Sequence, residues 1–311
     1  MTLLKLGSRK SRLALQQTHW VMDQLSKHAD DLEFDVKKIV TKGDKILDVT
    51  LSKVGGKGLF VKEIENALYN KDIDIAVHSM KDLPSELPEG LDIICVPTRE
   101  DDRDAFISQG NISFMDLPEG AVVGTSSLRR GAQILAKRPD LHIKPVRGNI
   151  ETRLRKLEEE DFDAIVLAAA GLKRMGWSDD VITEYLPNAI SVPAVGQGAL
   201  AIEARSDDED TKHLLESIHD PETAHRVAAE RSFLKELEGS CQVPIGAYCE
   251  RLSDSTLKLT GMVGETDGST VLREEITGDH PVEMGVQLAD RLKALGAKDI
   301  LDRVKEELDE S

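Results

Sequence analysis

The sequence predicts an α/β protein of two lobes around a cleft, followed by a small α+β domain. Short apolar runs end in a polar turn and pass into a stretch of helical period, and this pattern recurs beyond residue 104. From Ile245 onward strands follow one another directly, which is an α+β order. With 311 residues and 40% hydrophobic content, the chain can supply a core for each of two or three domains.

Leu3 to Leu6 reads as a strand, and Ser11 as the N-cap of a helix through Leu13, Leu15, Thr18 and Leu25. The junction Gly7-Ser8-Arg9-Lys10-Ser11 combines hydroxyls and a guanidinium with the N–H groups of a helix start, which suits a carboxylate or phosphate. Phe34 to Val40 is a second strand. The polar segment Thr41 to Gly58 follows, ending Lys53-Val54-Gly55-Gly56-Lys57-Gly58. It lacks the spacing of a phosphate loop and reads as a mobile lid whose lysines cover an anionic ligand. After a helix from Phe60 to Asn70, the strand Ile73 to Val77 runs directly into His78, Ser79, Lys81 and Asp82, closed by Leu83-Pro84. Ligands of open α/β sheets bind at the carboxyl ends of strands, so Asp82 is the catalytic candidate. The plainer alternative is a solvated turn with Asp82 paired to Lys81. Leu91 to Val96 is a further strand in which Cys95 is inert packing, and the charged run Pro97 to Asp104 reads as a hinge.

Beyond the hinge, Ala121 to Gly124 leads through Thr125-Ser126-Ser127-Leu128-Arg129-Arg130 into a helix. Ile143 to Val146 leads through Arg147-Gly148-Asn149 into another, with Arg153 one turn in. Counting Arg9, three strand-to-helix junctions carry arginine, which points to a ligand with several carboxylates or phosphates. Asp163 to Ala170 is a buried strand ending near Arg174, and Ser191 to Leu200, which contains Gln197, reads as a second crossing between the lobes. Helical patterns at 208–217 and 221–236 precede the strands Ile245–Cys249, Thr256–Val263 and Thr270–Thr277 and helices from Pro281 and Lys298.

The formal net charge of -17 argues against a nucleic-acid binder. Yet residues 121–156 carry nine bases against two acids, a focused anion site in an acidic protein. Several of those bases, Lys137, Arg138, Arg155 and Lys156, are assigned to exposed helix faces. No run approaches a membrane span and the first residues lack a secretory signal, so a cytoplasmic protein is expected. Three cysteines make no disulfide framework or zinc site, and His213, His219 and His225 do not share a helix face, so no metal is expected.

The third cysteine, Cys241, lies in Leu237-Glu238-Gly239-Ser240-Cys241-Gln242-Val243-Pro244-Ile245-Gly246, among small and polar neighbours that leave its sulfur reachable. This loop, together with Val77-His78-Ser79-Met80-Lys81-Asp82, Gly124-Thr125-Ser126-Ser127-Leu128-Arg129-Arg130 and Pro193-Ala194-Val195-Gly196-Gln197-Gly198, resembles the porphobilinogen deaminases nearly end to end. The resemblance implies two lobes like periplasmic binding proteins plus a C-terminal domain. The first lobe would be discontinuous, residues 1–98 with 199–217, the second 99–198, and the C-terminal domain 218–311. It implies a monomeric transferase that condenses four porphobilinogens head to tail into hydroxymethylbilane, releasing ammonia, on a dipyrromethane cofactor joined to Cys241 by a thioether. The partners would be porphobilinogen and the growing linear polypyrrole.

Every pyrrole ring brings an acetate and a propionate, so Arg9, Arg129, Arg130, Arg147, Arg153 and Arg174 would hold a polyanion. Ser11, Thr125, Ser127 and Gln197 would assist them, and Lys81, Lys53 and Lys57 would meet further carboxylates. Asp82 would stabilise positive charge developing beside the pyrrole N–H groups. Two rival readings use the same residues. A two-lobed anion-binding module leaves Asp82 and Cys241 idle, and a cysteine acyltransferase pairing Cys241 with His78 lacks a nucleophile–base motif.

Overall fold

A computed structural model of the chain describes residues 2–29, 31–45, 61–239 and 243–310. The helices are α1 (Arg12–Ser26), α2 (Lys42–Lys45), α3 (Lys62–Tyr69), α4 (Leu128–Lys137), α5 (Ile150–Glu159), α6 (Ala169–Arg174), α7 (Glu209–Leu215), α8 (Pro221–Glu236), α9 (Pro281–Ala294) and α10 (Ala297–Glu310). The strands are β1 (Thr2–Arg9), β2 (Leu32–Ile39), β3 (Ile75–Ser79), β4 (Leu91–Cys95), β5 (Asp104–Ser108), β6 (Val122–Gly124), β7 (His142–Lys144), β8 (Ala164–Ala168), β9 (Glu184–Leu186), β10 (Leu200–Arg205), β11 (Ile245–Ser253), β12 (Thr256–Gly264) and β13 (Val271–Gly278). They build two compact units, residues 1–100 with 199–225 and residues 101–198 with 226–311.

The first unit is a five-stranded sheet in the order β2-β1-β3-β10-β4. β1 runs parallel to β2 and β3, while β10 is antiparallel to both β3 and β4. Residues alternate across a strand, so β3 serves two cores. Ile75 and Val77 join Leu4, Leu6 and Ile202 against Val21 and Leu25 of α1. Ala76 instead joins Ile64, Ala67 and Leu68 of α3. Each fully buried aliphatic side chain here contributes about 1.5–3 kcal/mol, and together they fix the strand that delivers Asp82.

The second unit contains a five-stranded sheet, β7-β6-β8-β5-β9, and the three-stranded sheet β11-β12-β13. In the five-stranded sheet β6 is parallel to β7 and β8, and β5 is antiparallel to β8 and β9. Each five-stranded sheet thus has one reversed strand, and in each it is the strand laid down as the chain crosses into the unit: β5 from Asp104, β10 from Leu200. β5 was hidden in the sequence because Asp104 closes a charged run that reads as a hinge. In the structure Asp104 is 0% exposed and begins the apolar strand Ala105-Phe106-Ile107.

The antiparallel sheet β11-β12-β13 packs with α8, α9 and α10 through Phe233, Leu259, Leu288, Leu292 and Ile300. Gly285 allows α8 and α9 to touch backbone to backbone, since a Cβ there would lie 2.6 Å from the Ala229 carbonyl oxygen. The observed class is the expected one: two α/β sheets and a separate small sheet with helices near the C-terminus.

Candidate active site

In the first unit, β3 ends in a 3-10 turn, Met80–Asp82. Two buried side chains, Met80 and Leu83, flank the exposed Asp82 and pin the turn. The Met80 N–H donates to the Ala199 carbonyl at 3.0 Å, and the Leu83 N–H donates back to Met80 at 3.2 Å. Ser79 and Gln17 exchange hydrogen bonds at 2.9 and 3.2 Å, tying the strand end to α1. Asp82 rims a small open hollow that Arg9, Ser11, Gln17, His78 and Ser79 also line. Lys81, on the same turn, is half-buried.

Ser11 is the N-cap of α1 as expected, its hydroxyl oxygen accepting from the Ala14 N–H at 3.2 Å. Arg9 ends β1 and grips Asp44 Oδ1 through Nε and Nη2 at 3.1 and 2.5 Å. Asp44 also accepts from the Thr41 N–H and hydroxyl. Burial alone would raise its carboxyl, but Arg9 and Thr41 outweigh burial and hold it below the usual range. Arg9 is therefore oriented by a carboxylate that the sequence did not single out.

The sequence offered His78 as one of the polar groups at the strand end and, in the rival acyltransferase reading, as a partner for Cys241. The His78 Nε2 lies 2.8 Å from Oε2 of Glu203 on β10, and both side chains are buried. Nothing local marks this pair, whose members are 125 residues apart.

In the second unit the turn after β6 folds on itself. The buried Thr125 hydroxyl accepts from the Ser127 N–H at 3.1 Å, and Ser127 caps α4 by accepting from the Arg130 N–H. The guanidiniums of Arg129 and Arg130 both turn onto Asp104. Arg129 reaches its two oxygens at 2.8 and 3.2 Å, and Arg130 reaches Oδ1 through Nε and Nη2 at 3.0 and 2.8 Å. Ser191 and Gln197 donate to the same carboxylate at 2.7 and 2.9 Å. Burial would raise the Asp104 carboxyl, but the two guanidiniums overcome it and hold the group far below the carboxylate range. Two cations on one anion leave a net positive charge. The apolar run after Asp104 was the sequence signal for this hub, and the acids before it obscured it.

Arg147 follows β7 and is half-buried. Asn149 caps α5 by accepting from the Thr152 N–H at 2.8 Å, and Arg153 Nε donates to the Gly148 carbonyl at 2.8 Å. Gly148 has φ of +117°, which frees that carbonyl to turn toward the helix start. Burial, then the charges of Arg130 and Arg147, bring the Arg153 guanidinium down to about 10. Arg174 donates to the Gly198 carbonyl at 2.8 Å. Arg138, expected on an exposed helix face, instead lies half-buried, donating to the carbonyls of Phe114, Met115 and Leu117.

Cys241, Lys53, Lys57 and residues 46–58 of the segment Thr41 to Gly58 read as a lid lie outside the described residues, while its start holds the short helix α2. Cys95 and Cys249 are both buried. Burial pushes the Cys95 thiol up to about 12, leaving it a packing group. Among the described residues no cluster of metal-ligating side chains occurs, and no helix is long and apolar enough to cross a membrane.

Residues 4–213 match the family model described as porphobilinogen deaminase, dipyromethane cofactor binding domain, and residues 224–294 match the porphobilinogen deaminase C-terminal domain. The chain belongs to the porphobilinogen deaminase family. A porphobilinogen deaminase of Oceanobacillus iheyensis is 62% identical over 310 residues, covering 100% of both chains. One of Bacillus cereus strain B4264 is 61% identical over 301 residues, covering 97% of each. Among solved structures, a YaeC-family lipoprotein from Enterococcus faecalis V583 has a TM-score of 0.44 at 15% identity, covering 77% of this chain and 98% of that one.

The residues fit the cofactor that gives the porphobilinogen deaminase domain its description. A dipyrromethane bears acetate and propionate arms, which require cations. Arg153 lies in a neighbourhood where the like charges of Arg130 and Arg147 already act on it. Added carboxylates would relieve that repulsion, and planar guanidiniums suit them.

Proposed function

We propose that the protein is a hydroxymethylbilane synthase that condenses four porphobilinogen molecules head to tail, with release of ammonia, in tetrapyrrole biosynthesis. The observation that carries the reading is Asp82: an exposed carboxylate between two buried anchors, on the rim of a hollow lined by Arg9 and Ser11, in a segment matched by the cofactor-binding family model. The bound dipyrromethane supplies a pyrrole terminus to which substrate rings are added, so that the growing chain stays attached.

The protein's own groups do the rest. Asp82 stabilises positive charge developing on a substrate pyrrole, an interaction that strengthens where water is excluded. Arg9, held by Asp44, and Ser11 receive carboxylates in the first unit, with Lys81 beside them. Arg147, Arg153 and Arg174 receive carboxylates in the second unit. Arg129 and Arg130, anchored with Gln197 on Asp104, keep a positive charge under the Thr125–Ser127 turn. Each guanidinium–carboxylate contact contributes roughly 1.5–3 kcal/mol where desolvated. Lys53 and Lys57 cover the anionic chain from the 41–58 segment.

Cys241 carries the dipyrromethane through a thioether, a reading supported by the burial of both other cysteines. The enzyme is a cytoplasmic monomer whose net charge of -17 keeps it from nucleic acid. Residues 1–98 with 199–217, 99–198 and 218–311 form its three domains. The gap between family models at 213 and 224 and the separate C-terminal sheet support that division.

Intact mass spectrometry of protein made in porphobilinogen-producing cells tests the whole reading. The expected mass exceeds the polypeptide by one dipyrromethane, survives denaturation, and returns to the bare polypeptide in Cys241→Ser. A wild-type protein of purely polypeptide mass that neither consumes porphobilinogen nor releases ammonia overturns it.

A further inference from the structure

Glu203 has no part in the reaction as described above, yet it is 0% exposed in the strand that completes the first unit's sheet. The register of β10 on β3 sets Glu203 opposite Ala76 and Ala201 opposite His78. Glu203 and His78 are therefore diagonal neighbours on one face of the sheet. Oε2 of Glu203 lies 2.8 Å from His78 Nε2, while Oε1 is buried with no hydrogen-bond partner among the described residues. Among the described residues His78 is the one basic group within ion-pair distance of Glu203. Apolar residues of similar size fill such a position at no loss of stability, whereas a carboxylate with an orphan oxygen is costly to bury. A stability role alone does not account for the pair.

An ionised carboxylate can only accept, so Glu203 requires the ring proton on Nε2 and leaves Nδ1 with its lone pair. Nδ1 makes no hydrogen bond among the described residues, and His78 is one of the residues lining the hollow that Asp82 rims. The other ionisable groups around this point are Glu65 on α3, Lys81 and Asp82 on the turn, and Arg9 with Asp44. A buried carboxylate that fixes the tautomer of an imidazole beside an open site is the arrangement of a general base.

We propose that His78, held in its Nε2–H tautomer by Glu203, is a second proton-accepting residue of the Asp82 site, and that Glu203 is its positioning residue. The inference rests on the porphobilinogen reading of that site. Each addition breaks the substrate's C–N bond and one ring C–H bond and forms one C–C bond. Ammonia departs with the C–N electron pair, and the C–H pair returns to the ring as the proton leaves. Nδ1 takes that proton with its lone pair, and Glu203 neutralises the resulting imidazolium. The proton then passes to the released ammonia. An ammonium enters on the substrate and an ammonium leaves, so no further reactant is needed. Asp82 is thereby left to stabilise charge, and an imidazole, better suited than a carboxylate to accept protons near neutral pH, moves the proton.

Nitrogen–proton correlation spectra of the imidazoles in the intact holoenzyme test the proposal. One ring, identified by its loss in His78→Gln, is expected as the Nε2–H tautomer. In Glu203→Gln the side-chain amide can donate to Nε2, and the ring proton is expected to move to Nδ1. Single-turnover rates should fall at least ~100-fold in His78→Gln and at least ~10-fold in Glu203→Gln, with the dipyrromethane mass retained in both. An Nδ1–H tautomer in the wild type, or wild-type rates in both variants, overturns the proposal. If a variant fails to fold, the wild-type tautomer decides. A wild-type protein without the cofactor mass brings down the functional reading and this one with it, whereas a slow variant of a properly loaded enzyme bears on His78 alone.

Discussion

Asp82 and Asp104 are two aspartates that answer to opposite physics. Asp82 is exposed and its turn is pinned by Met80 and Leu83, so Asp82→Asn removes a charge and nothing that holds the fold. The expected outcome is an unchanged melting temperature and cofactor mass with turnover lowered at least ~100-fold; steady-state rates near wild type would refute its role. Asp104 is 0% exposed and satisfies two buried guanidiniums, so Asp104→Asn should destabilise the protein by about 3–5 kcal/mol, measured by denaturant titration. Its pH dependence follows from the same contacts. The folded carboxyl of Asp104, and that of Asp101, which Arg103 and Lys173 hold at 2.7 and 2.9 Å, sit below their unfolded value of about 3.9. They therefore stabilise the fold fully above that pH and lose this contribution as pH falls through the folded values. The melting midpoint should hold steady down to about pH 5 and drop below about pH 4, the drop shrinking in Asp104→Asn. Asp82 was legible in the sequence because a strand end and its turn are local. The Asp104 hub was not, since its partners lie 25, 26, 87 and 93 residues away.

At the level of elements, the caps at Ser11, Ser127 and Asn149 do what short polar residues before a helical run do, and all three helix starts were readable. Of the three, Ser11 alone reads as a cap in the sequence; Ser127 reads there as a ligand donor and Asn149 has no assigned role, although the bonds they make also span only three residues. What the pattern of strands could not reveal is how α4, which presents Arg129 and Arg130, is seated. The turn between β12 and β13 lies against it. Gly268, at φ of +73°, brings the turn so close that a Cβ would stand 2.6 Å from the Ala136 nitrogen and 2.7 Å from the Ala132 carbonyl oxygen. Backbone cannot yield as a flexible side chain can. Gly268→Ala is therefore expected to cost about 1–3 kcal/mol by overpacking, on top of the strain of a positive φ. Because α4 carries the guanidiniums, porphobilinogen turnover should fall along with the melting temperature, although residue 268 is remote in sequence from every proposed site residue. A variant as stable as wild type would show that the hairpin does not brace the helix.

For the whole molecule, the decisive feature is that the first unit cannot be finished by the first hundred residues. β10 lies between β3 and β4, contributes Leu200, Ile202 and Ala204 to the core shared with α1, and brings Glu203 to His78. No strand was read around Ile202, where the sequence showed only the end of a crossing, and the family resemblance rather than periodicity implied the return. A chain of residues 1–100 alone would leave one edge of β3 unpaired and a gap where Ile202 sits, and it should show no cooperative thermal transition. Antiparallel pairing sets Ile202 beside Cys95, so the chain leaves and re-enters the unit at neighbouring points. Replacing residues 101–198 by a short Gly/Ser linker that joins residues 1–100 to 199–225 should restore cooperative melting. It should also restore the His78 imidazole signal characteristic of pairing to Glu203, in a protein with no second unit to support it. Cooperative melting of the 1–100 chain by itself would mean that the sheet closes without β10, and that the buried carboxylate is dispensable to the architecture that holds the candidate base.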